Sequence, residues 1–104
     1  MAVAGEVHGA FEQAVLIVIA SLSADASGAA IVAEVRRKLN RDVHSGAVHA
    51  TLQRLERKQL IASEMQQGRR FPGRRRRAYT ITAEGRRALR RAKTALDRIW
   101  SDDR

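Results

Sequence analysis

A mainly α fold with one small β-hairpin, α+β by class, is what this 104-residue sequence predicts, and three observations carry it. Apolar residues recur at three- and four-residue spacing in three segments before Leu60 and in one after Thr82. Between them, Ile61–Met65 and Arg77–Ile81 lose that spacing and read as short strands. The run joining those strands holds Gly68, Pro72 and Gly73, residues that turn a chain. The length allows one domain over 1–104, divided into a compact part over 8–81 and a last helix over 82–100.

Charge placement narrows the partner. The net charge is +9, yet residues 1–35 carry no Lys or Arg and four acids, Glu6, Glu12, Asp25 and Glu34. All 20 basic residues follow, against seven acids, so one part of the molecule is built to face a polyanion. Nucleic acid is the first candidate and an anionic membrane surface the second. With no cysteine, disulfides, thiolate chemistry and Cys-based zinc sites are excluded. The longest apolar run, Ala14–Leu22, falls far short of the roughly 20 residues that span a bilayer. Acidic Glu6 stands where a secretory signal would be basic, so a soluble cytoplasmic protein is expected, with no membrane partner.

The elements follow in order. Over residues 8–22, Phe11, Val15, Val18, Ile19 and Leu22 fit one helical face, with Leu16 and Ile17 adding apolar character on the flank and back. A helix apolar nearly all round is buried on more than one side. Its second contact belongs either to another subunit or to the chain's own last helix. Ser23–Gly28 is a turn by composition, and Ile31, Val32, Val35 and Leu39 define a second helix over 29–39. Arg36, Arg37 and Lys38 near its end suit the helix dipole and are also long enough to reach a phosphate.

After a short connection, Ser45 offers an N-cap hydroxyl to a third helix. Val48, Leu52 and Leu55 form its apolar stripe; the opposite face presents Gly46, Ala50, Gln53 and Arg57, flanked by His49 and Arg54. Small residues at the first turn and donors further on suit a helix lying in a DNA major groove. Helix, brief turn and helix with such a face make a helix-turn-helix. In the hairpin, Arg69, Arg70, Arg74, Arg75, Arg76 and Arg77 place six cations and no acid within nine residues, the composition of an arm on phosphates or in a minor groove. The whole is a winged helix-turn-helix.

Thr82 caps the last helix, and Glu84 favours its dipole, while Gly85 stands where a full capping box would have Glu or Gln. Leu89, Ala92, Leu96 and Ile99 follow a 3-4-3 spacing, widened by Ala88, Ala95 and Trp100. Arg86, Arg87, Arg90, Arg91 and Lys93 take the other faces. The seam either packs on the first helix or, together with it and Phe11, closes an isologous dimer; the dimer is the expectation.

Three runs carry a resemblance. Asp25-Ala-Ser-Gly-Ala-Ala-Ile31, Ser45-Gly-Ala-Val-His-Ala-Thr-Leu-Gln-Arg-Leu-Glu56 with Leu60-Ile61, and Arg77-Ala-Tyr-Thr-Ile-Thr-Ala-Glu-Gly85 resemble the PadR-like transcriptional regulators over roughly residues 8–100. The resemblance implies a winged helix-turn-helix, a dimer through the C-terminal helix and repression of transcription. A single helix after the wing looks like the compact branch, whose members can bind planar aromatic compounds between subunits. Trp100 would stack with such an effector or simply plug the dimer core. His49 stands where the family usually has Tyr, which alters the expected contact near the DNA backbone. Gln59 stands where Gly usually ends the recognition helix. A left-handed Gln there is strained by roughly 1 kcal/mol, unless the helix closes differently.

The expected function is therefore a sequence-specific, double-stranded DNA-binding regulator acting as a homodimer on an inverted repeat. The alternative is a small basic structural nucleic-acid-binding protein, nucleoid- or RNA-associated, without operator preference. An enzyme is not expected: His8, His44 and His49 fall into no triad, dyad or metal spacing, and His44 and His49, five apart, lie on different sides of a helix. No cofactor or metal is expected.

Overall fold

The computed structural model describes residues 7, 9–23, 26–67 and 75–102. Its elements are α1 (Gly9–Leu22), α2 (Gly28–Leu39), α3 (Ser45–Arg57), β1 (Ile61–Gln67), β2 (Arg75–Ile81) and α4 (Ala83–Asp102). The strands pair antiparallel, with Ile61 opposite Ile81 and Met65 opposite Arg77. Each runs two residues beyond its expected end, because backbone pairing continues through Gln66–Arg76 and Gln67–Arg75, where no apolar alternation marks it. At the other edge Ser27 bridges Ala78, and the Tyr79 N–H donates to the Ala26 carbonyl at 2.9 Å, tying the start of α2 to the base of the wing.

Local chemistry sets the helix ends. Ser27 Oγ accepts from the Ala30 N–H at 3.2 Å and caps α2. Asn40, at φ 51°, closes it by donating its N–H to the Arg36 and Arg37 carbonyls. The start of α3 corrects the sequence reading. Ser45 is its first residue, and extended His44 holds the cap position without a side-chain cap bond. The His44 carbonyl takes the N–H groups of Ala47 and Val48, at 3.0 and 3.3 Å, so the turn closes through the backbone one residue early.

The start of α4 follows the expectation. Thr82 Oγ1 accepts from the Gly85 N–H at 2.9 Å and donates to the Gln59 carbonyl at 2.8 Å. Gln59 does adopt the left-handed conformation, φ 64°. The incomplete capping box also has a physical cause: a Cβ on Gly85 would lie 2.1 Å from the Leu60 carbonyl oxygen. Only glycine lets α4 start this close to the end of α3.

α1 lies at the centre and touches α2, α3, β2 and α4. Val15, Leu16, Val18 and Ile19 meet Ile31, Val35, Val48, Leu52, Leu55, Leu60 and Ile61 in one core. Leu16 is fully buried rather than flanking, while Ile17 is exposed. Among the described residues no helix is long and apolar enough to cross a membrane.

Candidate nucleic-acid interface

Val48, Thr51, Leu52 and Leu55 are buried, which fixes the roll of α3 about its axis. Gly46, His49, Ala50, Gln53 and Arg57 are exposed, as is Ser45 at the helix start. A Cβ on Gly46 would meet nothing within 4 Å, so the first turn presents bare backbone to its surroundings. The positive end of a helix dipole at such a start suits an anion. Gln53, Glu56 and Arg57 line a shallow depression further along. The face thus offers a close approach at one end and an amide with a guanidinium at the other. His49 lies beside the start of α2, its Cε1 3.3 Å from where a Cβ on Gly28 would stand.

Arg54 is engaged inside the chain. Its Nε donates to Glu12 Oε2 at 3.3 Å and its Nη2 to Thr51 Oγ1 at 3.0 Å. Lys58 Nζ donates to both Glu12 oxygens, at 2.9 and 3.2 Å. Glu12 is only 4% exposed, so α3 is fastened to α1 by two cations on one buried carboxylate. Sequence reasoning placed Arg54 among the outward residues and gave Glu12 no role. Two other cations are also occupied: Arg36 Nε donates to the Val43 carbonyl at 2.8 Å and faces Asp42, and Arg37 pairs with Glu34. Lys38 is the exposed cation left at the end of α2.

The wing is coupled to α3 by a second contact that the sequence did not reveal. Arg77 Nη1 donates to Ser63 Oγ, and Ser63 Oγ donates to Glu56 Oε2, both at 2.9 Å. Arg76 and Arg77 are exposed and Arg75 begins β2. Arg69, Arg70 and Arg74 lie outside the described residues. At the wing's base, burial pushes the Tyr79 hydroxyl pKa up, against the opposing charge of Arg77.

The expected dimer seam divides. Ala88 is buried against the core, and Phe11, Leu89 and Ala92 are half-buried, so α1 takes the first half. Beyond it Leu96, Ile99 and Trp100 are 45%, 64% and 73% exposed. Among the described residues no cluster of His, Asp or Glu could hold a metal.

The sequence profile of the PadR-like transcriptional regulators matches residues 15–91. The chain belongs to the PadR-like family. That family, described as transcriptional regulators, is not one of enzymes. No curated protein sequence matches the chain. Among solved structures, a PadR family transcription regulator from hypervirulent Clostridium difficile is 24% identical, with TM-score 0.74 over 89% of this chain and 93% of that one. A PadR-like regulator from Bacillus cereus is 20% identical, with TM-score 0.74 over 88% and 84%. One from Eggerthella lenta is 26% identical, with TM-score 0.65 over 85% and 75%. At identities this low the first two establish the fold alone. For this PadR-like chain, the profile covers α2, α3 and both strands, the elements that build the candidate interface.

Proposed function

We propose that this PadR-like protein is a cytoplasmic, sequence-specific DNA-binding repressor that acts as a homodimer on an inverted repeat. Residues 8–81 form the reading unit and 82–100 the dimerisation helix. The observation that carries the reading is the outer face of α3, where exposed Gly46 and Ala50 lead to exposed Gln53 and Arg57 on a helix held by four buried side chains. Small residues let the backbone approach the groove, and the Gln53 amide both donates and accepts, as an adenine edge requires. Ser45 and His49 sit at the near phosphates, and Arg69, Arg70, Arg74, Arg75, Arg76 and Arg77 hold the backbone from the wing. Arg54 acts from beside this face, steadied by Glu12.

The bare end of the seam supports the homodimer, since a second copy would cover Leu96, Ile99 and Trp100. A planar aromatic effector would stack on Trp100 where that copy closes the other side.

The test is a pair of titrations at one salt concentration, on a duplex selected from random sequence and on its scrambled version. The unmodified protein should prefer the selected duplex by about 10³-fold or more. Gln53→Ala should cost about 1–3 kcal/mol on the selected duplex and little on the scrambled one. Equal affinity of the unmodified protein for both duplexes would instead favour a structural nucleic-acid-binding protein.

A further inference from the structure

α4 carries a second cationic surface. Arg87, Arg90, Arg91 and Arg98, with Thr94 among them, are exposed and line one open depression. At about 100° per residue these five positions fall within about 100° of arc, opposite the Ala88–Ala92–Leu96 seam. Arg87 and Arg98 stand about 16 Å apart along the axis, at 1.5 Å per residue.

Helix stability does not account for this ridge. A helix dipole favours cations in the last turn, and the last turn of α4 holds none. Arg87 repels Arg90 and Arg91 at the spacings where like charges destabilise a helix. Of the acids at hand, Glu84 pairs with Arg87 alone among the ridge arginines, and Asp97 pairs with Lys93, outside the ridge. Among the described residues no ion pair engages Arg90, Arg91 or Arg98.

α4 also meets α1 on a different side from α3. Glu12 of α1 receives Arg54 of α3 and Lys58 just after it, whereas Gln13 and Ile17 of α1 border Leu89, Arg90 and Lys93 of α4. Glu12 and Ile17 lie about 140° apart round α1, so α1 stands between the two helices. The two cationic faces therefore flank different sides of α1.

We propose that the α4 ridge holds the phosphate backbone of a second DNA duplex, so that the protein bridges two duplex segments. The proposal rests on the reading that α3 and the wing hold the first. Guanidinium groups take phosphate oxygens bidentately. With a rise of about 3.4 Å per phosphate on one strand, the ridge spans roughly five phosphates. Its one apolar lining residue is Ala95, a single methyl group too small to anchor in a bilayer or in a groove on a protein.

The experiment uses the full chain and two duplexes of unrelated mixed sequence, one immobilised and one fluorescent in solution. The unmodified protein, loaded on the first duplex, should capture the second, and capture should fall steeply with salt. R87Q/R90Q/R91Q/R98Q, checked for helix content by circular dichroism, should bind a single duplex within about twofold of the unmodified protein and capture at least about tenfold less of the second. The milder R90Q/R98Q, which keeps the Arg87–Glu84 pair, should lose an intermediate amount. Equal capture by the quadruple variant would assign bridging to the two α3 faces of a dimer and overturn the proposal. So would failure of the unmodified protein to capture a second duplex, whatever anion the ridge binds instead. Failure to bind even the immobilised duplex would overturn the α3 reading itself.

Discussion

Gly85 and Gln59 make opposite demands on the backbone where α3 gives way to α4. A methyl group on Gly85 would collide with the Leu60 carbonyl, so Gly85→Ala should destabilise by about 1–3 kcal/mol, the usual range for overpacking. In a domain of this size each kcal/mol lowers the melting temperature by roughly 4–8 °C, which a thermal scan resolves. Gln59 has the left-handed φ of 64° that glycine adopts without strain. Gln59→Gly should therefore raise stability, by about 1 kcal/mol. Both residues were visible in the sequence as departures from a pattern, but only Gln59 announced its reason, because its strain is local. The reason for Gly85 is a carbonyl on another element. Glu12 was illegible for the same cause: it lies in an apolar helix, and its partners Arg54 and Lys58 are 42 and 46 residues away. Removing both cations with Arg54→Ala/Lys58→Ala should cost about 3 kcal/mol, since the carboxylate they leave is buried. Glu12→Gln should cost less, about 1 kcal/mol, because the amide oxygen still accepts from Lys58 while Arg54, 46% exposed, is reached by water. Urea denaturation of the two variants gives the comparison.

Among the elements, the four helices and the hairpin were legible because each has a periodicity that belongs to it alone. Their ends were less so. Ser45 looked like a cap by residue type, yet the backbone of His44 closes the turn. The strands outran their apolar alternation for want of any side-chain signal. The wing's role is tested by salt. Replacing Arg74, Arg75 and Arg76 by Ala should flatten the dependence of DNA affinity on salt by roughly 0.9 log units for each phosphate the wing no longer neutralises, with sequence preference changed much less. At the start of α4, the hydrogen bond from Arg87, then its charge, and then that of Arg91 hold the Glu84 carboxyl below its ordinary pKa. A carboxyl lowered in the folded state stabilises above its unfolded value and loses that contribution as pH falls through the folded one. The Glu84 carboxyl resonance should therefore titrate at lower pH than a free glutamate, and Arg87→Gln should move it back up. An unchanged midpoint in that variant would remove Arg87 as the cause.

For the molecule as a whole, the sequence indicated that α1 and α4 together carry more apolar surface than one subunit needs, but not how it is shared. Packing on α1 and an interface with a second copy looked like alternatives, whereas α1 takes the first half of the seam and leaves Leu96, Ile99 and Trp100 bare. Periodicity is blind to where a neighbouring helix ends. Leu96→Glu would put a carboxylate into the bare half. Light scattering should find the unmodified protein dimeric at micromolar concentration and the variant monomeric, with DNA affinity falling in step. A monomeric unmodified protein would end the homodimer proposal.

The Thr82 junction has a mechanical consequence. One hydroxyl bonds both the Gln59 carbonyl and the Gly85 N–H, and the Thr82 N–H donates to the Leu60 carbonyl at 3.0 Å, so the end of α3 and the start of α4 share one anchor. α4 runs 20 residues from there, about 30 Å at 1.5 Å per residue. Because α1 also packs on α4 through Ala88, Leu89 and Ala92, α3 and the first half of α4 form one rigid arm. In a dimer joined at those far ends, the crossing angle of the two α4 helices becomes a calliper setting: a few degrees at the joint resets the gap between the two α3 helices by whole ångströms.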